Sequence, residues 1–378
     1  MINVFFISVA VCWSLCFALI VFKSAHQHIS ADHMRSGPQK IHHGATPRIG
    51  GLPIFAGLLA GIVVLYLGEW KLNSFPFVVT ILPVWLAGMT EDLTKKVSPL
   101  KRLLAAFAAA LMAAWLLEAR IVRLDIPVLD HLINSYVAVN VLFVMFAVGG
   151  VTHAMNIIDG FNGLAGVVVV MILSALAYVS FQVGDTFLLG QCVALIGATI
   201  GFLCWNYPRG NIFAGDGGAY LWGFVVAEIS VMLVYRNPKV SPWFPLLLVI
   251  YPVWETIFSI YRRKILRGKP AGLPDAIHLH SLVYKRLVRY MVGSKRAEHM
   301  IKRNALTAPY LWCLAAFSII PAILFWSNTP IIWLFCALFI LCYCIFYAMI
   351  VRFRIKRWMT VGGESGLNSD QSKVKPSA

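Results

Sequence analysis

Charged residues are scarce in this sequence: Asp, Glu, Lys and Arg make up only 13% of its 378 residues, whereas 60% are hydrophobic. The mean hydropathy is +0.77. A chain with so little charge does not have the composition of a soluble globular domain, and its main solvent is predicted to be lipid. No segment repeats with a period of about 20–50 residues, which argues against a repeat architecture.

The sequence also lacks cysteines at metal-ligand spacing. Its eight Cys residues all fall in or beside apolar runs and are interpreted as packing residues. Acidic residues are few, with 16 Asp and Glu against 32 Lys and Arg. No nucleic-acid motif accompanies this basic excess, so it is attributed to membrane topology and contact with anionic lipid, without a nucleic-acid partner.

Eleven apolar runs are long enough, or nearly so, to cross a membrane, which takes about 20 residues with some variation for tilt. The sequence therefore predicts an all-α, polytopic bundle, with one membrane domain over 1–358 and a disordered tail over 359–378. The run at 137–149 is short and can extend in either direction, so an even number of spans is the alternative. The predicted spans are 3–22, 50–68, 76–90, 102–118, 137–149, 163–181, 187–204, 217–235, 242–260, 308–326 and 330–351.

The basic residues predict the orientation, because Lys and Arg accumulate in cytoplasmic loops. With eleven spans, 27 of the 32 Lys and Arg residues fall in one set of loops, and 261–306 is the most basic of these. The N-terminus is therefore predicted to be periplasmic and the C-terminus cytoplasmic, in the inner (plasma) membrane. Within the basic loop, 283–291 is predicted to form a short amphipathic helix on the inner leaflet.

Five polar motifs fall on the predicted cytoplasmic side. The first runs from Lys40 through Thr46 and Arg48 to a Gly pair at 50–51. Cations with paired glycines suit a loop that faces phosphate, since glycines let backbone N–H groups approach oxygen ligands. An ordinary positive-inside flank is the alternative.

The second motif is Glu91-Asp92, at the end of the third predicted span. Two carboxylates at the C-terminal end of a helix lie unfavourably near its negative dipole end, so a cation or proton partner is expected. Lys95 and Lys96 are one candidate partner; a bound ligand is the other.

Asn156 and Asp159 begin the third motif, three residues apart on one face if the segment is helical, and Asn162 follows. Oxygen ligands of this kind suit Mg²⁺, which takes one or two carboxylates together with substrate phosphates. The fourth motif places Asp216 among glycines, three residues after Phe213. A simple helix N-cap is the alternative for Asp216.

The fifth motif, Pro274 to His280, follows a cluster of cations that includes Arg262 and Arg263. His278 and His280 lack a third nearby metal ligand, so imidazoles and guanidinium groups here are better suited to an anion than to zinc. Together the five motifs predict a polyanion bridged by a divalent metal. A reaction between a soluble phosphate compound and a phosphate at the inner leaflet would use all of them.

The order and spacing of TPRIGG, ED, NIIDGFNGLAG, NYPRGNIFAGDGG and PDAIHLH resemble one family, the polyprenyl-phosphate N-acetylhexosamine-1-phosphate transferases. The resemblance covers Lys40 to Arg286. It implies transfer of a sugar 1-phosphate from a UDP-sugar to undecaprenyl phosphate with release of UMP, as in initiation of O-antigen and other envelope glycans. It also implies Mg²⁺, with Mn²⁺ as the alternative, and allows a homodimer.

The resemblance also implies roles for individual residues. Asp216 would bind the metal together with Asp92, Phe213 would stack on uracil, and Asn206 would contact the nucleotide. The expected catalytic residues are Asp92, Glu91, Asp159, His278 and His280. The expected substrate-binding residues are Lys40, Thr46, Arg48, Asn156, Asn162, Asn206, Phe213, Arg262 and Arg263.

This chain departs from the family pattern at four motif positions, Glu91, His153, Asn162 and Ser281, and at Glu255, where the family has an intramembrane aspartate near the end of the ninth span. Because the branch that uses a muramyl-pentapeptide donor has His in place of Ser281, an N-acetylhexosamine such as GlcNAc, or a 6-deoxy relative, is the expected donor. A phospho-MurNAc-pentapeptide transferase is the alternative. From other classes, a secondary transporter and an inactive scaffold that binds lipid-linked sugars are the alternatives. Glu228, midway along its predicted span, is interpreted as a partly protonated, hydrogen-bonded packing residue.

Overall fold

The computed structural model describes residues 1–30, 46–68, 74–268, 277–288 and 297–352. All regular elements in these ranges are helices, which confirms the predicted all-α class. Lys40, Asp275 and the tail over 359–378 lie outside the described residues. The helices are α1 Ile2–Val21, α2 Lys23–Ser30, α3 Gly51–Leu67, α4 Phe75–Thr94, α5 Pro99–Leu116, α6 Pro127–Ser135, α7 Val137–Ile158, α8 Leu164–Gln182, α9 Thr186–Asn206, α10 Gly215–Arg236, α11 Phe244–Leu248, α12 Ile250–Arg267, α13 Leu279–Leu282, α14 Ala297–Leu324 and α15 Thr329–Val351, with a π-helical stretch Val283–Val288 directly after α13.

Within the described ranges, nine helices are long and apolar enough to cross a membrane, and α3 is a shorter apolar helix. The least secure predicted span, 137–149, is the first part of α7, which is 22 residues long and ends at Ile158. A polytopic helical membrane protein is therefore confirmed. The total number of crossings stays a prediction.

The predicted span at 242–260 is not a single helix, because the helix breaks at Val249; whether the segment crosses the membrane stays a prediction. Pro252 causes the break: it has no N–H to donate to the carbonyl of Leu248, four residues earlier. The five-residue α11 and the 18-residue α12 result. α12 begins after this break and runs to the end of the bundle where the other polar motifs lie. It carries Glu255, Arg262 and Arg263.

The predicted amphipathic helix on the leaflet is also wrong for its described part. Val283–Val288 is helical, but its apolar side chains are buried inside the protein instead of facing lipid. Arg286 holds this stretch against α15 by donating from Nη1 to the carbonyl oxygens of Ile350 and Val351, at 3.1 and 2.6 Å. An amphipathic sequence pattern does not distinguish a membrane surface from a protein surface, and here the protein covers it.

α10 is the centre of the bundle, and its side chains are buried from Gly215 to Leu233. It packs against α4 and α7 along most of its length. The approach to α4 is closest where glycine faces glycine: a Cβ on Gly88 would lie 2.7 Å from Cα of Gly217. Small residues let helix backbones approach closely, which is the common device of helix packing in membranes.

Contacts place the two ends of the described chain at opposite ends of the bundle. α1 runs parallel to α9, since Gly197 lies beside Phe5 and the indole of Trp205 donates to the carbonyl of Trp13. α1 therefore begins at the end remote from Asn206, whereas α15 ends beside Arg286. This arrangement fits an odd number of crossings.

Gly88→Ala tests the packing of α4 on α10. The added methyl group would overlap the backbone of Asp216 and Gly217, and overpacking of this kind costs about 1–3 kcal/mol. We expect the purified variant to unfold at a lower temperature. Gly150→Ala is the matched control, because no atom lies within 4 Å of the Cβ that it would add. Equal melting temperatures for the two variants would contradict this packing.

Reporter fusions test the predicted orientation. Fusions at Ala378 and within 119–136 should report opposite compartments, with Ala378 cytoplasmic, because the basic residues concentrate in the loops on that side. The same compartment for both fusions would refute the orientation and the odd number of crossings.

Candidate active site

Arg48 joins two acids that come from separate motifs. Its Nη2 donates to Oδ1 of Asp216 at 2.6 Å, and its Nε lies 3.4 Å from Oδ1 of Asp92. The Arg48 side chain is 34% exposed, whereas Asp92 and Asp216 are buried. A guanidinium group with this exposure remains accessible to an incoming anion while it neutralises two buried carboxylates.

Asp92, at the C-terminal end of α4, caps the N-terminus of α10. Oδ1 accepts the backbone N–H of Asp216 at 2.9 Å, and Oδ2 accepts that of Gly217 at 2.8 Å. The first N–H groups of a helix have no partner within the helix, and its N-terminal dipole end favours negative charge. The carboxylate of Asp92 lies near the unfavourable negative end of the α4 dipole. Its position at the favourable positive end of the α10 dipole offsets this.

The first and fourth motifs pair through their backbones. The N–H of Phe213 donates to the carbonyl of Pro47 at 2.9 Å, and those of Gly50 and Gly51 donate to Phe213 and Ala214 at 2.9 and 2.8 Å. Thr46 and the half-buried Phe213 therefore lie on two segments fixed to each other. This pairing sets the position of Arg48 beside Asp216.

Asp216 has two further partners, one of which the sequence did not identify. Nδ2 of Asn156 donates to Oδ1 at 3.3 Å, and Nη1 of Arg102 forms an ion pair with Oδ2. The guanidinium carbon of Arg102 also lies 5.6 Å from the ring centre of Tyr220. Its place at the start of α5, on the side of the other motifs, was the only sequence signal for Arg102.

Asp159 directly follows α7 and completes a group of three acids around Arg48. Burial raises the pKa of Asp159 to about 7, and the positive charge of Arg48 opposes this shift. A carboxyl group with a pKa in this range binds a cation or accepts a proton near neutral pH. Asp92 and Asp216 thus contact the guanidinium group of Arg48, and Asp159 lies within the range of its charge.

Two predicted substrate-binding amides hold loops in place. Nδ2 of Asn162 donates to the carbonyl of Pro208 at 3.0 Å. Asn206 accepts the N–H of Gly163 at 2.7 Å through Oδ1, and donates to the carbonyl of Ile212 at 2.8 Å through Nδ2. Both side chains are buried. Their contacts with a nucleotide stay predictions. Their hydrogen bonds directly support a structural role, in which the two amides hold the loops in place.

The fifth motif is fixed by Glu255. Oε1 of Glu255 accepts from Nδ1 of His278 at 2.9 Å and from the N–H of Leu279 at 3.1 Å, and Oε2 accepts from the hydroxyl of Tyr343 at 2.7 Å. The rings of His278 and His280 stack with centres 5.2 Å apart. His280 also meets the third motif, because a Cβ on Gly160 would lie 3.2 Å from its Nε2.

The remaining predicted residues lie at the edges of this cluster. Glu91 is partly buried and accepts the N–H of Val97 at 2.7 Å, which ties it to its own loop. Arg262 and Arg263 are buried on α12, and Nη1 of Arg262 donates to the hydroxyl of Tyr347 at 2.8 Å. The roles assigned to these three residues stay predictions.

Among the described residues, no three His, Cys, Asp or Glu side chains lie close enough together to form a metal site by themselves. Mg²⁺ in phosphate-transfer sites needs only one or two carboxylates, since substrate oxygens complete its coordination. Asp216, with the amide oxygen of Asn156, offers such a partial set for a metal that arrives with a phosphate substrate. Both oxygens of Asp92, the other predicted metal ligand, accept backbone N–H groups, and its role as a ligand stays a prediction.

The sequence matches the model of glycosyl transferase family 4 over residues 74–234. It is 29% identical over 251 residues to a probable undecaprenyl-phosphate N-acetylglucosaminyl 1-phosphate transferase of Bacillus subtilis, with 64% of this chain and 66% of the relative aligned. A phospho-N-acetylmuramoyl-pentapeptide-transferase of Lactobacillus helveticus is 29% identical over 259 residues, covering 64% of this chain and 77% of the relative. Over residues 74–234, this multi-pass helical membrane protein is therefore similar to glycosyl transferase family 4.

Proposed function

We propose that the protein transfers an N-acetylhexosamine 1-phosphate from a UDP-sugar to undecaprenyl phosphate. In this reaction an acceptor phosphate oxygen forms a bond to the β-phosphorus, the bond between that phosphorus and the bridging oxygen breaks, and UMP leaves. The product is a lipid-linked pyrophosphate sugar, the starting unit of an O-antigen or another envelope polysaccharide. The inner membrane is the compartment in which both substrates meet.

The contact of Arg48 with Asp92 and Asp216, with Asp159 within the range of its charge, is the observation that carries this proposal. It joins the first four motifs at one end of the bundle, where a soluble nucleotide and a membrane phosphate can both arrive. Acids beside guanidinium groups, one of them partly exposed, are the arrangement that a reaction between two anions requires. The names of relatives in Bacillus subtilis and Thermotoga maritima, both of which include undecaprenyl phosphate, support the same reaction.

Arg48 and Arg102 are proposed to bind the pyrophosphate of the donor. Each pairs with Asp216, so both guanidinium groups face the same carboxylate, Arg48 from the segment before α3 and Arg102 from α5. Asp216 and Asn156 would hold Mg²⁺, or Mn²⁺ as the alternative. The metal, when bound, neutralises charge on the leaving UMP.

Asp92 is proposed to position the site instead of removing a proton. Both of its carboxylate oxygens are engaged by backbone N–H groups, and its side chain is fully buried. A phosphate monoester is already largely dianionic near neutral pH, since its second pKa is about 6, so the acceptor does not depend on a strong base. Holding Arg48 and the first turn of α10 in place then contributes more than proton transfer.

The donor is proposed to be a UDP-N-acetylhexosamine such as UDP-GlcNAc. The relatives include both N-acetylglucosaminyl and muramoyl-pentapeptide transferases, so their names alone do not choose between these donors. Ser281, which takes the place of the last His of the fifth motif, is buried and directly follows His280. This substitution favours the smaller donor.

Asp216→Asn tests the proposal, with release of UMP from UDP-GlcNAc measured in the presence of undecaprenyl phosphate. An amide brings no charge to hold a cation or to orient Arg48 and Arg102, so we expect activity to fall by on the order of 10²-fold or more. Added Mg²⁺ should not restore it.

Asp185→Asn is the matched control. Asp185 lies at the opposite end of the bundle, where its Oδ1 accepts the N–H of Leu188, and Asn caps a helix equally well. Its activity should match that of the wild type. An Asp216→Asn protein that keeps more than about a tenth of wild-type activity, a barrier change below about 1.4 kcal/mol, would show that Asp216 is only a structural cap.

A further inference from the structure

Helix α14 lies outside the segment that matches the family, yet it contacts the third motif. Oδ1 of Asn304 accepts the backbone N–H of Asn162 at 2.9 Å. Asn304 is fully buried, although it is a polar side chain in a helix that carries no motif of its own. A buried amide is stable only where its polar atoms are bonded, so this contact fixes α14 and the loop to each other.

A second side chain of α14 holds the next residue of the loop. Nε1 of Trp312 donates to the carbonyl of Gly163 at 3.2 Å. The Trp312 ring also packs against that of Tyr207, with ring centres 5.2 Å apart. Consecutive loop residues, Asn162 and Gly163, are therefore bonded to the same helix, one through its N–H and the other through its carbonyl.

The local backbone explains why this support comes from another helix. Gly163 is the N-cap of α8, with φ at +71°, and has no side chain to bond the orphan N–H groups of the helix start. Asn206 accepts the N–H of Gly163, and Asn304 accepts that of Asn162. The loop thus depends on two amides that are distant in sequence.

The same loop carries groups of the candidate active site. Asp159 lies three residues before Asn162 and shares the field of Arg48. Gly160 and Phe161 lie against His280, whose ring centre is 5.4 Å from that of Phe161. A shift of the loop would move Asp159 relative to Arg48 and separate the third motif from the fifth.

We propose that Asn304 is a positioning residue for the transfer reaction. It acts through the backbone of Asn162 and sets the place of Asp159, without itself contacting a reacting group. The activity readout of this inference rests on the proposed function. Misplacement of a reacting group by about 1 Å can cost on the order of 10²-fold in rate, which makes a loop support of this kind measurable.

Three variants test the inference. Asn304→Leu removes the acceptor, whereas Asn304→Asp keeps an oxygen in the same place. Thr307→Val is the matched control, because Thr307 is equally buried on the same helix and its hydroxyl donates only to the carbonyl of Arg303 within that helix. We expect kcat to fall roughly tenfold to 10²-fold in Asn304→Leu, to recover largely in Asn304→Asp, and to stay near the wild-type value in Thr307→Val.

The KM for undecaprenyl phosphate separates positioning from general damage. We expect it to stay within about twofold of the wild-type value in Asn304→Leu, since the change acts on placement within the bound complex. An Asn304→Leu protein with wild-type kcat would overturn the inference. A Thr307→Val protein with an equal loss of kcat would also overturn it, because burial alone would then explain the effect.

Hydrogen exchange supplies a readout that does not depend on activity. In Asn304→Leu, amides of the peptide covering 159–165 should exchange faster than in the wild type and in Thr307→Val; unchanged exchange would overturn the inference. If Asn304→Leu does not fold, Asn304→Asp decides through the same two measurements: wild-type-like exchange and kcat support the inference, and faster exchange with a tenfold loss of kcat overturns it.

Wild-type protein that releases no UMP with any UDP-N-acetylhexosamine would refute the proposed function, and hydrogen exchange would still decide the role of Asn304.

Discussion

The rest of the site depends on the bond between Asp92 and the start of α10. This buried carboxylate accepts two consecutive N–H groups of another helix and lies beside the partly exposed guanidinium group of Arg48. Hydrogen bonds to a charged group contribute about 1.5–3 kcal/mol each, and a buried carboxylate without them is very unfavourable. The interaction therefore fixes the end of α4 against the start of α10, and with it the position of Asp216.

From this fixed point the other parts follow in order. The paired backbones of the first and fourth motifs bring Arg48 over Asp216, and α5 adds Arg102 from the other side. Asp159, at the end of α7, lies within the range of the charge of Arg48. His280 packs against Phe161 in the loop that follows α7. The helices of the site contribute polar side chains near their ends, where these groups are not exposed to lipid. Glu228, midway along α10, is fully buried as expected of a packing residue, but the expected hydrogen bonds are wrong, because neither of its carboxyl oxygens has a hydrogen-bond partner among the described residues.

The sequence predicts which motifs meet, but not every contact that holds them. A membrane forces polar segments to its two faces, so the acids at 92, 159 and 216 could be assigned to one side from loop charges alone. Arg102 and Asn304 could not be identified, since each acts through a partner distant in the chain and neither belongs to a motif. The break at Val249 was missed because hydrophobicity continues across it, although Pro252 carried the signal. The burial of Val283–Val288 depends on tertiary packing, which an amphipathic pattern does not reveal.

Arg48→Lys tests the central claim most directly, with acceptor-dependent release of UMP from UDP-GlcNAc as the measurement and Arg123→Lys as the control. Lysine keeps the charge, but its single ammonium group does not reproduce the fork that contacts both Asp92 and Asp216. Arg123 lies at the opposite end of the bundle, where its Nη2 donates to the carbonyl of Val240. The account predicts a loss of on the order of 10²-fold for Arg48→Lys and wild-type activity for Arg123→Lys. Equal activities for Arg48→Lys and the wild type would contradict it.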